Sequence, residues 1–222
     1  LRGRVTGGEG NVMEIVRVDE RARQLYFVAQ GREPGRDPYF QHLYRVGLDG
    51  RGLTLLTSED AHHVVSMAPD GRHFVDTYST PATPPVTVLR DAGGRVVLPL
   101  ERGDVSRLVA AGWRPPVPFR AKGRDGTTDV HGLMYLPTTL DTTRRYPIVN
   151  RIYPGPQTGS VGSRAFFPAR GDDQALAELG FVVVIIDGTG TPGRSKAFAD
   201  AYYGRMGDNT LPDQIAAMRE LA

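Results

Sequence analysis

Three short stretches hold residues whose types and spacing suggest chemistry. Tyr153 closes the apolar run P-I-V-N-R-I-Y and meets Pro154-Gly155-Pro156. A rigid turn there would hold the phenol in one orientation at the carboxyl end of a sheet, where open α/β folds place their ligands. A fixed phenol can donate a hydrogen bond to a developing oxyanion; the competing account is a tyrosine packed under the loop with its hydroxyl satisfied. The second stretch, Gly188-Thr189-Gly190-Thr191-Pro192-Gly193, fits G-x-G-x-x-G. That fingerprint works when an apolar helix follows at once and an acidic residue stands about 20 residues on. Here a polar run follows, Pro192 sits inside the motif, and Asp208 lies in a Gly/Asn-rich turn. The stretch reads as a glycine-rich strand-to-loop turn. The third, Gly193-Arg194-Ser195-Lys196-Ala197, approximates G-x-S-x-G. A nucleophile elbow joins strand directly to helix, whereas Ser195 stands eight residues past Asp187, the end of the preceding strand. Ser160, in G-S-V-G, has Thr158 where the first glycine belongs. Both serines read as loop residues.

The histidines are His42, His62, His63, His73 and His131. The adjacent pair His62-His63 points its rings to opposite sides of a strand, so it does not chelate one metal unless the chain turns there. Solvent or edge positions are the expectation for both. No histidine follows His131. In the hydrolase chain order of Ser, then Asp or Glu, then His, the general base comes last, so a complete triad of that order is not contained in these residues.

Composition narrows the classes further. The 222 residues carry 27 Lys+Arg against 25 Asp+Glu, a formal charge of +2, with basic and acidic residues interspersed. That balance argues against a nucleic-acid or anionic-membrane footprint. The absence of cysteine removes disulfide frameworks, thiolate zinc sites and thiol nucleophiles together. The longest apolar stretch, Phe181 to Ile186, is far short of the roughly 20 residues a membrane helix needs. The chain begins at Leu1 without a starting Met, a charged n-region or an apolar h-region.

The elements that must position these residues fall into two groups. Up to Leu100, β-rich runs alternate with turn signals: 14–18, 24–29, 41–46, 53–57, then 63–67, 73–78, 86–90 and 95–100. Four short strands repeated at about 50 residues is the pattern of a propeller blade, with a β-sandwich of unrelated hairpins as the other account. Two blades do not close a ring. Val105 to Ala111 reads as one helical turn, and Trp113 to Pro118 as a stiff, proline-rich crossing that marks a domain boundary. Beyond it come strands at 128–136 and 147–153, an amphipathic helix at 172–179, and an apolar strand at 181–187 of the kind buried on both faces. A last helix starts with Thr210 as candidate cap, Pro212 in its first turn and Asp213 near the positive end of the dipole. Its apolar stripe, Leu211, Ile215, Met218 and Leu221, runs to the last residue without a stop signal, which suggests a chain cut in mid-pattern.

In this order, the blade repeats, proline-rich crossing, D-G-T-T-D-V-H-G-L-M-Y-L-P strand, R-Y-P-I-V-N-R-I-Y-P-G-P-Q turn, G-F-V-V-V-I-I-D-G-T-G-T strand and D-Q-I-A-A-M-R helix resemble the dipeptidyl-peptidase IV-like branch of the prolyl oligopeptidase family of serine peptidases. The resemblance runs over residues 12 to 222. It implies partial β-propeller blades followed by the N-terminal part of an α/β-hydrolase domain, with residues 1–112 as the C-terminal blades and 113–222 as the start of the catalytic domain. Tyr153 matches the family's tyrosine before a G-P turn, whose hydroxyl serves in the oxyanion hole. Pro154 stands where relatives often carry Ala or Gly, a mild departure. The D-G-T-G-T-P-G run matches a structural loop of the hydrolase domain with no cofactor, and no metal is implied.

By the same resemblance the nucleophilic serine, the Asp and the His follow the D-Q-I helix and fall beyond Ala222. The intact protein is then expected to hydrolyse short peptides through an acyl-enzyme, while these residues alone are predicted inactive. Peptides are the expected substrate, dimers are common among relatives, and no nucleic acid or membrane segment enters. The alternative from a different class is a non-catalytic, propeller-containing interaction module with a relic hydrolase domain. A nucleotide-binding α/β protein is the third reading.

Overall fold

The structure, a computed structural model, describes residues 3–153 and 155–222. The expectation that Pro154 stiffens the turn lies outside the described residues. The chain forms two compact units. One runs up to Thr80 and includes Pro84–Gly103; the other comprises Pro81–Thr83 and Asp104–Ala222.

The first unit contains two four-stranded antiparallel meanders. β1 (Asn11–Asp19), β2 (Gln24–Gln30), β3 (Gln41–Gly47) and β4 (Thr54–Leu55) lie side by side in chain order. So do β5 (His62–Met67), β6 (His73–Ser79), β7 (Val86–Asp91) and β8 (Val96–Arg102). This is the blade topology expected from the turn spacing. Strand β2 is buried on both faces. Tyr26 and Val28 join Leu43, Leu56 and Phe74 in one cluster, and Phe27 and Ala29 join Tyr44 and Val46 in the other. The rings of Phe27 and Tyr44 stack at 5.5 Å, an arrangement that adds to their burial.

The second unit centres on a mixed sheet of order β11-β12-β10-β9. Its strands are β9 (Val117–Lys122), β10 (Asp129–Tyr135), β11 (Ile148–Asn150) and β12 (Val182–Asp187). β11 and β12 are parallel, and the others pair antiparallel. The short helix α1 (Ser106–Ala110) precedes the sheet. The crossover from β11 to β12 carries α2 (Asp173–Glu178), and after β12 come α3 (Lys196–Ala199) and α4 (Leu211–Leu221). The apolar run of β12 is covered on both sides, as its composition requires. Val183 and Ile185 pack with Leu133 and Ala177 on the α2 side, and Val184 and Ile186 pack with Val130 and Ala217 on the α4 side.

Four details differ from the sequence reading. Val117–Lys122, partly read as proline-rich crossing, forms edge strand β9, where Pro118 lies opposite Leu133; an edge strand tolerates the missing N–H. Strand β11 stops at Asn150, so Tyr153 stands beyond it, although the Arg151 N–H still reaches the Val184 carbonyl at 3.0 Å. Thr210 makes no side-chain cap bond; Asn209 Oδ1 takes the Leu211 N–H at 2.9 Å instead. The histidine pair is buried, not solvated: His62 is 6% exposed and His63 1%.

Candidate functional site

Tyr153 is presented by a loop that three side chains tie to the sheet. Asp187, the last residue of β12, accepts the Val161 N–H at 3.1 Å and the Arg164 guanidinium at 3.0 Å. Both members of that ion pair are 1% exposed, so each depends on the other for charge compensation. Ser160 clamps the tyrosine backbone from both sides. Its hydroxyl accepts the Tyr153 N–H at 3.0 Å and donates to the Tyr153 carbonyl at 3.2 Å. Two residues upstream, Arg151 makes a bidentate pair with buried Asp173 at 2.5 and 3.0 Å, joining the end of β11 to α2. The result is a held backbone with an open ring: Tyr153 is 50% exposed. Its hydroxyl oxygen accepts from Gln157 Nε2 at 3.1 Å. The packed-under-the-loop arrangement is therefore not the one observed.

The carboxyl edge of the sheet is set from the other side by α4. Gln214, fully buried, donates to the Ile186 carbonyl at 3.0 Å and accepts from Asn150 Nδ2 at 3.0 Å, linking β12 and β11. Asp213 accepts the Thr189 N–H at 2.9 Å and the Arg124 N–H at 2.9 Å. Burial pushes its carboxyl up, but the Arg124 hydrogen bonds outweigh this and hold it below the usual carboxylate range. The adjacent pair Asp213-Gln214 thus locks the loop after β12 and the end of β11 together.

The two sequence decoys have structural explanations. A Cβ on Gly190 (φ 88°) would lie 1.7 Å from the Tyr202 ring, so that glycine is required by packing. The Thr189 N–H, which a pyrophosphate would need, is occupied by Asp213. Ser195 caps α3, its hydroxyl accepting the Phe198 N–H at 3.2 Å. A cleft of about 740 Å³ opens beside β11, lined by Val149, Arg151, Ala165, Phe167 and Leu176, and neither Tyr153 nor Gln157 lines it.

A second polar cluster lies inside the blades. Ligand atoms of Glu59, His63 and Asp76 lie within 4.8 Å of one another, a spacing that a metal ion fits. The Arg90 guanidinium, however, already binds Asp76 at 2.8 Å and Glu59 at 2.7 Å. A cation entering there would have to displace both contacts. Burial raises the Glu59 carboxyl, but the Arg90 hydrogen bond outweighs it and the net displacement is downward.

Residues 2–85 match the family model described as the dipeptidyl peptidase IV N-terminal region, and residues 169–222 match that of the prolyl oligopeptidase family. The chain belongs to the prolyl oligopeptidase family. Dipeptidyl peptidase 8 of Homo sapiens is 30% identical over 98% of this chain and 25% of its own length. The Emericella nidulans protein named "Probable dipeptidyl-aminopeptidase B" is 29% identical over 98% of the chain and 24% of its own length. The chain therefore spans about a quarter of the length of these relatives. The crystal structure of Porphyromonas gingivalis dipeptidyl peptidase 4 superposes with a TM-score of 0.78 at 23% identity, over 98% of this chain and 30% of that one. The fold is accordingly that of prolyl oligopeptidase family members: propeller blades followed by the N-terminal part of an α/β-hydrolase domain. Among the described residues, no helix is long and apolar enough to cross a membrane.

Ser160, Asp187 and Gln157 were not singled out by sequence reasoning as site residues. The only signal available was the Y-P-G-P-Q turn itself, which contains Gln157.

Proposed function

We propose that the intact protein is a serine peptidase that hydrolyses short peptides through an acyl-enzyme, with Tyr153 as a hydrogen-bond donor of its oxyanion hole. The observation that carries this reading is the half-exposed Tyr153 phenol on a backbone clamped at the carboxyl end of the sheet, in a chain of the prolyl oligopeptidase family. In this reading residues 1–112 are the C-terminal blades of the propeller and 113–222 the N-terminal part of the catalytic domain. A serine hydroxyl attacks the scissile carbonyl while a histidine takes its proton. The carbonyl oxygen becomes an oxyanion that accepts from the Tyr153 hydroxyl and from the backbone N–H after the serine. Collapse expels the amine with the proton returned by the histidine, and water then cleaves the ester. The nucleophile, the Asp and the His are not among residues 1–222, so the 222-residue chain is inactive by itself. Homodimerisation of the intact protein belongs to the same reading.

The test is Tyr153→Phe in the intact protein, assayed on a chromogenic peptide amide. Loss of one oxyanion donor lowers kcat about 10²–10³-fold with KM little changed; an unchanged kcat overturns the role. In parallel, a fluorophosphonate probe leaves the 222-residue chain unlabelled, and stoichiometric labelling would contradict the assignment of the nucleophile elsewhere.

A further inference from the structure

We propose that Gln157 is a positioning residue for the Tyr153 hydroxyl: its carboxamide N–H occupies the phenol oxygen and turns the phenol's single proton outward, toward the place where an oxyanion forms. The inference rests on the reading of Tyr153 given above and adds what fixes the direction of its proton.

A phenol O–H is one donor that rotates about its C–O bond and also accepts. On an exposed ring it is free to point at water or at any neighbouring acceptor. Gln157 Nε2 lies 3.1 Å from the Tyr153 oxygen. With that N–H donating, the phenol proton is directed away from Gln157. A hydroxyl that accepts one hydrogen bond is also polarised into a stronger donor of the next. Both effects act on the atom that would face the oxyanion, and neither requires Gln157 to touch substrate.

The carboxamide is itself placed by the turn. A Cβ built on Gly155 would come within 2.7 Å of both Gln157 Nε2 and Oε1, and within 2.8 Å of Cδ. The amide therefore lies against the bare Cα of Gly155, and any side chain at that position moves it. Tyr153, Gly155 and Gln157 form one unit: the glycine seats the amide, and the amide orients the phenol. Ser160 holds the same tyrosine by its backbone only, so the clamp on the chain and the orientation of the hydroxyl are separate devices.

Gln157→Glu tests this with almost no change in shape. A carboxylate has no N–H and accepts only, so it draws the phenol proton inward and takes the donor from the oxyanion. In the intact protein its kcat is expected to fall about tenfold or more, with KM within about twofold. The ratio to wild type should recover as the pH is lowered far enough to protonate the new carboxyl. Gly155→Ala, which displaces the amide without changing it, should lower kcat by a smaller factor. Gly155→Ala combined with Gln157→Ala should cost no more than Gln157→Ala alone. On the Tyr153→Phe background Gln157→Glu should change nothing further. If Gln157→Glu keeps wild-type kcat while Tyr153→Phe is crippled, the role of Gln157 is overturned and that of Tyr153 stands. If Tyr153→Phe itself keeps wild-type kcat, the reading of Tyr153 fails and this inference fails with it. Should Gln157→Glu not fold, Gly155→Ala decides: wild-type kcat in that variant overturns the proposal.

Discussion

The blades and the hydrolase sheet each bury an aspartate against an arginine, and they use the pair differently. In the blades, Asp76 on β6 is fully buried and is held by His63 of β5 at 2.9 Å and by Arg90 of β7 at 2.8 Å. Arg90 goes on to Glu59 and to the Gly94 carbonyl, and His63 Nε2 meets the Glu59 carbonyl at 3.1 Å. The cluster joins the neighbouring strands β5, β6 and β7. In the hydrolase sheet, Asp187 grips Arg164 and the Val161 N–H, and the segment it grips carries an exposed phenol. Buried charge is therefore common to both regions. Under the proposed role of Tyr153, what separates them is the exposed group at the far end of the anchored segment, a distinction that a search for perturbed titratable groups alone would miss.

The largest effects should come from breaking each pair. Asp76→Ala removes one of the two carboxylates on buried Arg90, which keeps Glu59, and Asp187→Ala removes the carboxylate on buried Arg164. Breaking a buried pair by removing one member costs up to about 3–5 kcal/mol in comparable cases. The two should separate in what else they do. Asp76→Ala should lower the urea midpoint of the blade unit and leave hydrogen exchange at the Val161 amide unchanged. Asp187→Ala should release that amide to exchange and, in the intact protein, lower kcat through the Tyr153 loop. If Asp187→Ala leaves kcat intact, the buried pair is cohesive in both regions and the contrast between them disappears.

Acid should act on the blade cluster next, through its buried histidines. His42 donates from Nδ1 to the Thr57 carbonyl at 2.9 Å, and its ring centre lies 5.0 Å from that of His63. Burial, and after it the charge of the neighbouring His63, lower His42 to about 4. The folded blades therefore keep it neutral, whereas the unfolded chain protonates it near pH 6.5. Between those values the unfolded state binds the additional proton, so blade stability falls as pH drops from about 6.5 to about 4, by about 3 kcal/mol in total. His42→Asn retains a donor toward Thr57 and removes the titration. Its urea midpoint should change less between pH 7.5 and pH 4.5 than that of the wild type, and an equal change would remove His42 as the cause.

These differences also explain what could be read from the residues in advance. The eight blade strands and β12 announce themselves because alternating or continuous apolar residues end in turn dipeptides such as Asp70-Gly71 and Gly93-Gly94. Strand β9 does not, since Pro118 argues against a strand until β10 is present to pair with it. With only four residues, α3 has no period to detect. The histidines were misplaced because alternation assumes that one face of a strand is wet. At the start of β5 both His62 and His63 are enclosed, and ring contacts of His63 reach β3 through His42 and β6 through Tyr78. The turn marked Tyr153 as a candidate. The anchors of Tyr153 were not marked, because Ser160 lies seven residues on and Asp187 lies on another strand. Such contacts arise from loop return, which leaves no periodic trace.

The smallest effect belongs to the serine that most resembles a nucleophile by motif. Ser195 has extended N-cap backbone angles (φ −59°, ψ 158°), and its hydroxyl is used by the Phe198 N–H. Ser195→Ala removes one helix cap, a loss of about 1 kcal/mol in comparable positions. Phe198 is 7% exposed and its carbonyl takes the Gly190 N–H at 2.7 Å. The loosening should therefore appear as faster exchange at Gly190 and leave the Val161 amide untouched. In the intact protein kcat should stay within about twofold of wild type, because the hydrogen bonds of Ser195 go to Phe198 and Ala199 within its own helix. A collapse of kcat in Ser195→Ala, with the fold retained, would move the chemistry from the phenol to the α3 cap and reverse the contrast between anchor and exposed group on which the assignment of Tyr153 depends.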